Sequence, residues 1–105
     1  MKKIRLMLEY KSYPIWIYDE DGFVEDNALP EEWKHSTELM SLAEEVQTIF
    51  NGLYLDTANE FRYQGFSSDE ERLCFINKVQ QLNMLILEIN QGNYDIVNDI
   101  DLSRV

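Results

Sequence analysis

The spacing of apolar residues changes near residue 37, from every second position to every third or fourth, and this change restricts the possible folds. In "KIRLMLEY" the apolar residues on one face alternate with Lys3, Arg5, Met7 and Glu9 on the other, which predicts a half-buried strand. From about Thr37 to Leu53 they recur at helical spacing, which predicts a long amphipathic helix. A chain of 105 residues with both periods is expected to form one α+β domain.

Turn and capping residues mark the borders of these elements. Asp21-Gly22 lies between two runs of β-branched and aromatic residues, which predicts a hairpin with Asp19 to Gly22 as its turn. Pro30 favours the start of a short helical turn. Ser36 is the predicted N-cap of the first helix, and Ser68 caps a second helix that extends to about residue 91.

Two further strands complete the predicted order. "NEFRYQGF" alternates between the helices, and "NYDIVNDIDL" has apolar residues at mostly even spacing near the C-terminus. The expected order is β-β-β-α-β-α-β in a single domain, residues 1–105. We expect an antiparallel sheet that starts with a β-hairpin and packs against two amphipathic helices.

The charge is negative and unevenly distributed. Twenty acidic residues against nine basic ones give a formal net charge of −11. Residues 1–11 contribute +3, residues 12–61 contribute −11 and residues 62–105 contribute −3. Binding to nucleic acid or to anionic lipid needs clustered Lys and Arg, so we expect neither a direct nucleic-acid partner nor a membrane partner.

The acidic stretch "DEDG" is similar to part of a calcium loop, but its spacing fails. With Asp19 at position one, Gly22 falls at position four and Pro30 at position twelve, where an EF-hand needs Gly at six and Glu at twelve. A looser cation site on Asp19, Asp21 and Glu25 remains an alternative. The prediction is nevertheless that the protein has no metal and no cofactor.

Nucleophile and zinc chemistry have few candidates in this chain. His35 is the single histidine and Cys74 the single cysteine, so neither a zinc pattern nor a catalytic triad is indicated. We expect His35 in a solvated loop and Cys74 buried and inert. A pair of carboxylates acting as in a glycosidase remains an alternative, but the prediction is that the protein is not an enzyme. One cysteine and no long apolar run indicate a reducing, cytoplasmic setting.

The acidic residues of the first half predict a binding surface. No Lys or Arg lies between Ser12 and Trp33, so the carboxylates there repel one another unless a partner neutralises them. If Ile15 and Ile17 face the core, Trp16 and Tyr18 are exposed; the opposite orientation remains open. A basic protein is the expected partner. The predicted contact residues are Trp16, Tyr18, Asp19, Glu20, Asp21, Glu25, Asp26, Glu31, Glu32 and Trp33.

In general character, "LEYKSYPIWIYDEDGFVEDNALPEE" and "EFRYQGFSSDEERLCFI" resemble the small acidic immunity proteins of bacterial polymorphic-toxin and contact-dependent growth inhibition systems. The resemblance implies a cytoplasmic protein without catalysis of its own that neutralises one cognate toxin, typically a nuclease. Immunity proteins have many unrelated folds. The resemblance therefore implies a role and specifies neither topology nor contact residues.

Other functions remain open at this point. An acidic DNA mimic or anti-defence protein would use the same carboxylates against several DNA-binding enzymes. A small carboxylate or metal-dependent enzyme would use the acidic loop as its site. Self-association is a further alternative, because the apolar stripe of helix 68–91 is wider than one core face needs. The sequence leaves the oligomeric state undetermined.

Overall fold

The computed structural model contains the strands and the two amphipathic helices that the residue periodicity predicts. It describes the backbone of residues 1–105 and every side chain except that of Arg104. The elements are β1 (Lys3–Leu6), β2 (Ile15–Tyr18), β3 (Val24–Asp26), α1 (Thr37–Asn51), β4 (Tyr54–Asp56), β5 (Phe61–Tyr63), α2 (Asp69–Asn90) and β6 (Asp95–Asn98), with short 3₁₀ turns at Glu31–Trp33 and Leu102–Arg104.

The main sheet has the strand order β3-β2-β1-β6. Its first three strands are antiparallel, whereas β6 pairs with β1 in parallel. The predicted α+β class, the initial hairpin and the order of the elements are therefore confirmed.

The structure adds one strand, β4, to the predicted order. β4 pairs with β5 in a separate two-stranded sheet, with Tyr54 opposite Tyr63. The ring of Tyr54 also stacks on that of Phe61, with centroids 5.5 Å apart. The helical spacing of apolar residues extends to Leu53, so the sequence did not separate β4, which begins at Tyr54, from the end of the preceding helix.

One face of the main sheet is buried against the helices. The alternating residues Ile4, Leu6, Ile15 and Ile17 join the inward stripes of α1 and α2 in a single apolar cluster. That cluster includes Leu39, Leu42, Ala43, Val46 and Phe50 of α1, and Phe75, Val79, Leu82 and Ile86 of α2. The other side chains of β1 and β2 point to the opposite, open face of the sheet.

Both predicted N-caps are confirmed. The hydroxyl of Ser36 accepts the N–H of Leu39 at 3.2 Å, and that of Ser68 accepts the N–H of Glu71 at 3.2 Å. Each bond satisfies a backbone N–H that has no partner within the helix. Within the described part of the chain, no helix has both the length and the apolar character needed to cross a bilayer.

Candidate partner-binding surface

The turn between β2 and β3, residues 19–22, is built by one of its own carboxylates; we call it the acidic turn. Oδ1 of Asp19 accepts the N–H groups of Asp21 at 3.0 Å and Phe23 at 2.9 Å. Gly22 has a φ of +90°, which glycine adopts at little cost. Asp19 is therefore needed by the turn itself, while Glu20 and Asp21 extend outward with exposed side chains.

A β-bulge sets the position of Glu25. Tyr18 pairs with Val24 and Ile17 pairs with Asp26, so Glu25 is the extra residue on β3. Its carboxylate accepts two hydrogen bonds from Nζ of Lys2, at 2.8 and 2.9 Å. The fold thus brings a lysine from the chain's first residues to an acidic stretch that has no base of its own.

A cleft beside β3 collects four of the predicted carboxylates; we call it the acidic groove. Its volume is about 260 Å³, and it is lined by Lys2, Ile17, Glu25, Asp26, Leu29, Pro30, Glu31, Glu32 and Tyr94. Glu31 is paired with Lys34 at 2.7 Å, and its side chain is 86% exposed. Together the turn and the groove hold seven carboxylates and Lys2, and with Lys34, the partner of Glu31, the formal excess is five negative charges.

Glu32 is held in its ionised form by Tyr94. The phenol of Tyr94 donates a hydrogen bond to Oε1 of Glu32, and this bond lowers the pKa of Glu32. Burial, followed by the same hydrogen bond, raises the pKa of Tyr94 to about 12. The ring of Tyr94 meets Trp33 edge-on, with centroids 5.4 Å apart. Tyr94, which lines the groove, therefore packs against the core residue Trp33.

The Tyr94–Glu32 bond predicts a specific dependence on pH. The Glu32 contribution to stability is present above the ordinary pKa of 4.5 and is lost as pH falls through the lowered folded-state pKa. The Tyr94 contribution is present below pH 10 and is lost as pH rises through about 12. In Tyr94→Phe, we expect the pKa of Glu32 to rise toward its ordinary value, measured by NMR titration of its carboxyl carbon.

Tyr18→Phe is the matched control for that titration. The hydroxyl of Tyr18 accepts from Nη1 of Arg5 at 3.0 Å and is not bonded to Glu32. We therefore expect the pKa of Glu32 to be unchanged in this variant. An equal change in both variants, or none in Tyr94→Phe, would contradict the assigned bond.

Aromatic and apolar side chains lie on the open face of the sheet, opposite the face of Ile17 that lines the acidic groove. Ile15 and Ile17 are buried, so the predicted outward orientation of Trp16 and Tyr18 is confirmed, and both are half-buried. Nε1 of Trp16 donates to the carbonyl of Met7 at 3.1 Å. This bond and the bond from Arg5 to Tyr18 fix the orientation of both rings.

Phe23 and Val24 are candidate contact residues that the sequence did not predict; they are 70% and 53% exposed. Val24 lies directly opposite Tyr18, so the two side chains share the open face. β3 is an edge strand, and all three of its residues are exposed. Its apolar residues therefore do not mark a buried face. The available signal was the pair of large apolar residues directly after an Asp-Gly turn.

The prediction of Trp33 as a surface anchor is wrong. Trp33 is 1% exposed and belongs to the core. In the 3₁₀ turn Glu31–Trp33 the chain repeats every three residues, so Pro30 and Trp33 face inward while Glu31 and Glu32 face out. The carboxylates of this turn therefore remain in the candidate surface without the tryptophan.

The structure also tests the other candidate groups. Among the described residues, no three His, Cys, Asp or Glu side chains are arranged to hold a metal ion. His35 is exposed, with Nδ1 2.8 Å from the carbonyl oxygen of Glu32, so its prediction as a loop residue is confirmed. The prediction that Cys74 is buried is wrong. It lies exposed on α2, because the helix turns Phe75 rather than Cys74 to the core.

We call the acidic turn, the acidic groove and the neighbouring side chains of Trp16, Tyr18, Phe23 and Val24 the β3-edge surface. The excess of negative charge lies in the turn and in the groove on one side of the edge strand β3. The exposed and half-buried apolar groups lie mainly on its other side, the open face. No protein-family model and no curated protein matches the chain significantly. The physical character of this surface is therefore the basis for inferring a function.

Proposed function

We propose that this protein is an immunity-type inhibitor that binds and neutralises one cognate bacterial toxin through the β3-edge surface. The partner is a basic protein, and a nuclease fits best because its cleft is built to attract phosphate. The inhibitor has no catalytic activity of its own. It acts in the cytoplasm, where an intracellular toxin meets its substrate.

The observation that supports this proposal is the convergence of carboxylates around β3. All seven carboxylates belong to the stretch from Asp19 to Glu32, and the fold places them in one turn and one groove, where Lys2 pairs with Glu25 and Lys34 pairs with Glu31. Uncompensated charge of one sign costs stability through self-repulsion. A basic cleft relieves this repulsion on binding and accelerates association by about 10- to 1000-fold.

The apolar side chains support a single cognate partner over a general DNA mimic. Charge attracts many basic proteins, whereas affinity and specificity come from buried aromatic and apolar anchors. Phe23 at 70% exposure and Val24 at 53% are available for this contact. The half-buried rings of Trp16 and Tyr18 lie on the same open face as Val24. A specific partner would cover these groups together with the carboxylates.

The test is protection of growing cells. The proposal predicts a toxin domain encoded directly upstream of this gene, at the C-terminus of a large secreted protein, and that domain is expressed in a bacterial host with and without this protein. We expect growth to be restored against that domain and against no unrelated toxin. Absence of protection, with the protein abundant and folded, would overturn the proposal, and inhibition of several unrelated DNA-binding enzymes would favour the DNA mimic.

A further inference from the structure

The outer face of α2 carries a second apolar stripe in addition to the one in the core. Leu73, Met84 and Leu87 are 54%, 61% and 54% exposed. With the polar residues Asn77 and Gln80 they form a line spaced by four, three, four and three residues: Leu73, Asn77, Gln80, Met84 and Leu87. This spacing is that of the seam in a two-helix coiled coil. We call the line the outer stripe.

The outer stripe lies in the longest part of the chain without a carboxylate. Residues 72–87 contain no Asp or Glu, although the chain has twenty of them. The two bases in this segment are already engaged: Lys78 pairs with Glu45 at 2.6 Å, and Nε of Arg72 donates to the carbonyl of Val105 at 2.7 Å. The stripe itself is uncharged.

An uncharged stripe on a protein of net charge −11 fits one kind of occupant best. A basic partner gains nothing from a surface without carboxylates. A second copy of this chain is itself strongly acidic, so any carboxylate in the contact would face a like charge and weaken it. The absence of acidic residues over sixteen positions therefore removes like-charge repulsion from a contact between two copies.

We propose that two copies associate through the outer stripe of α2, with the two helices antiparallel. The stripe is nearly symmetric about Gln80, so Leu73 of one copy meets Leu87 of the other. The two Gln80 amides meet at the axis, where each can donate to and accept from its counterpart. Such a contact is isologous and closes on two copies.

The first turn of α2 favours the antiparallel arrangement. Asp69, Glu70 and Glu71 all lie in that turn. A parallel pair brings six carboxylates together, whereas an antiparallel pair separates the two turns by nearly the helix length, about 33 Å. Asn77 and Gln80 reduce the apolar area of the seam, as polar seam residues do when they specify register. We therefore expect a dimer that dissociates on dilution.

This inference goes beyond the inhibitor function and does not depend on it, because no residue of the β3-edge surface is used. Sedimentation equilibrium over a wide concentration range tests it. We expect the mass to rise from monomer toward dimer, and the dimer to persist or strengthen at high salt, since salt screens repulsion between acidic copies. A monomer mass that does not change with concentration would overturn the proposal.

Matched variants test the stripe itself. Met84→Glu combined with Leu87→Glu should leave a folded monomer at every concentration, because both side chains are exposed and the change introduces like charges across the contact. Phe23→Glu changes an apolar residue of 70% exposure elsewhere and should leave the dimer intact. If the α2 variant still dimerises, or if Phe23→Glu alone abolishes the dimer, the stripe is not the interface.

Cysteine cross-linking tests the direction of the helices. In the antiparallel pair, two Cys74 residues lie about 18 Å apart along the axis, too far for a disulfide. Gln80→Cys with Cys74→Ser has its two thiols at the axis and should form a cross-linked dimer on mild oxidation. Equal cross-linking through native Cys74 would contradict the antiparallel arrangement and indicate a parallel one.

Discussion

In a variant with Glu20→Lys, Asp21→Lys and Glu31→Lys, we expect the affinity for the proposed cognate toxin to fall by at least about 100-fold and protection in cells to be lost. The three changes turn a local excess of five negative charges into an excess of one positive charge. Attraction to a basic cleft then becomes repulsion. Titration calorimetry with a catalytically inactive toxin domain measures the loss.

The fold should tolerate these substitutions. All three side chains are exposed, and Glu31 loses only its pair with Lys34, a surface contact worth about 1 kcal/mol or less. Asp19 is left unchanged because its carboxylate holds the turn. The same net charge is reached by Glu9→Lys, Glu70→Lys and Glu88→Lys outside the β3-edge surface. If both triple variants lose affinity equally, the net charge and not this surface determines binding.

We expect Trp33→Ala to lower the free energy of unfolding by about 3–5 kcal/mol. The indole is 1% exposed and packs edge-on against Tyr94, so its removal leaves a cavity in the core beneath the acidic groove. The total free energy of unfolding of a small domain is roughly 5–15 kcal/mol, so this variant should lose a large part of its stability. Urea denaturation followed by far-ultraviolet circular dichroism measures the change.

Two tryptophan variants separate packing from hydrogen bonding. Nε1 of Trp33 is buried with no hydrogen-bond partner among the described residues, so Trp33→Phe removes an unsatisfied donor and should cost less than Trp33→Ala. Trp16→Ala, at a half-buried position, should cost about 1–2 kcal/mol through the bond to Met7 and partial burial. A cost below about 1 kcal/mol for Trp33→Ala would contradict its position in the core.

Local chemistry was enough to predict most of the fold. Alternation identified β1 and β2, although it left open whether β2 buries Ile15 and Ile17 or Trp16 and Tyr18. Ser36 and Ser68 marked the helix starts, because an N-cap depends on residues adjacent in sequence. The parallel pairing of β6 with β1 was not predictable in this way, since it depends on where α2 directs the chain.

The candidate site depends more on tertiary contacts. Lys2 neutralises Glu25 across 23 residues, and the bulge that positions Glu25 has no sequence signature. Tyr94 reaches Glu32 from beyond α2. Trp33 was misassigned because a single 3₁₀ turn is too short to show which side faces the core. The acidic character was predictable from composition, whereas its arrangement around one edge strand was not.

The association rate constant, measured as a function of salt concentration, tests the central proposal most directly. Stopped-flow mixing of this protein with the inactive cognate toxin domain gives the rate from about 0.02 M to about 0.5 M salt. The proposed acidic β3-edge surface predicts that association slows by at least about 10-fold over this range, with a much smaller change in dissociation. An association rate that is independent of salt would contradict electrostatic docking of a basic toxin.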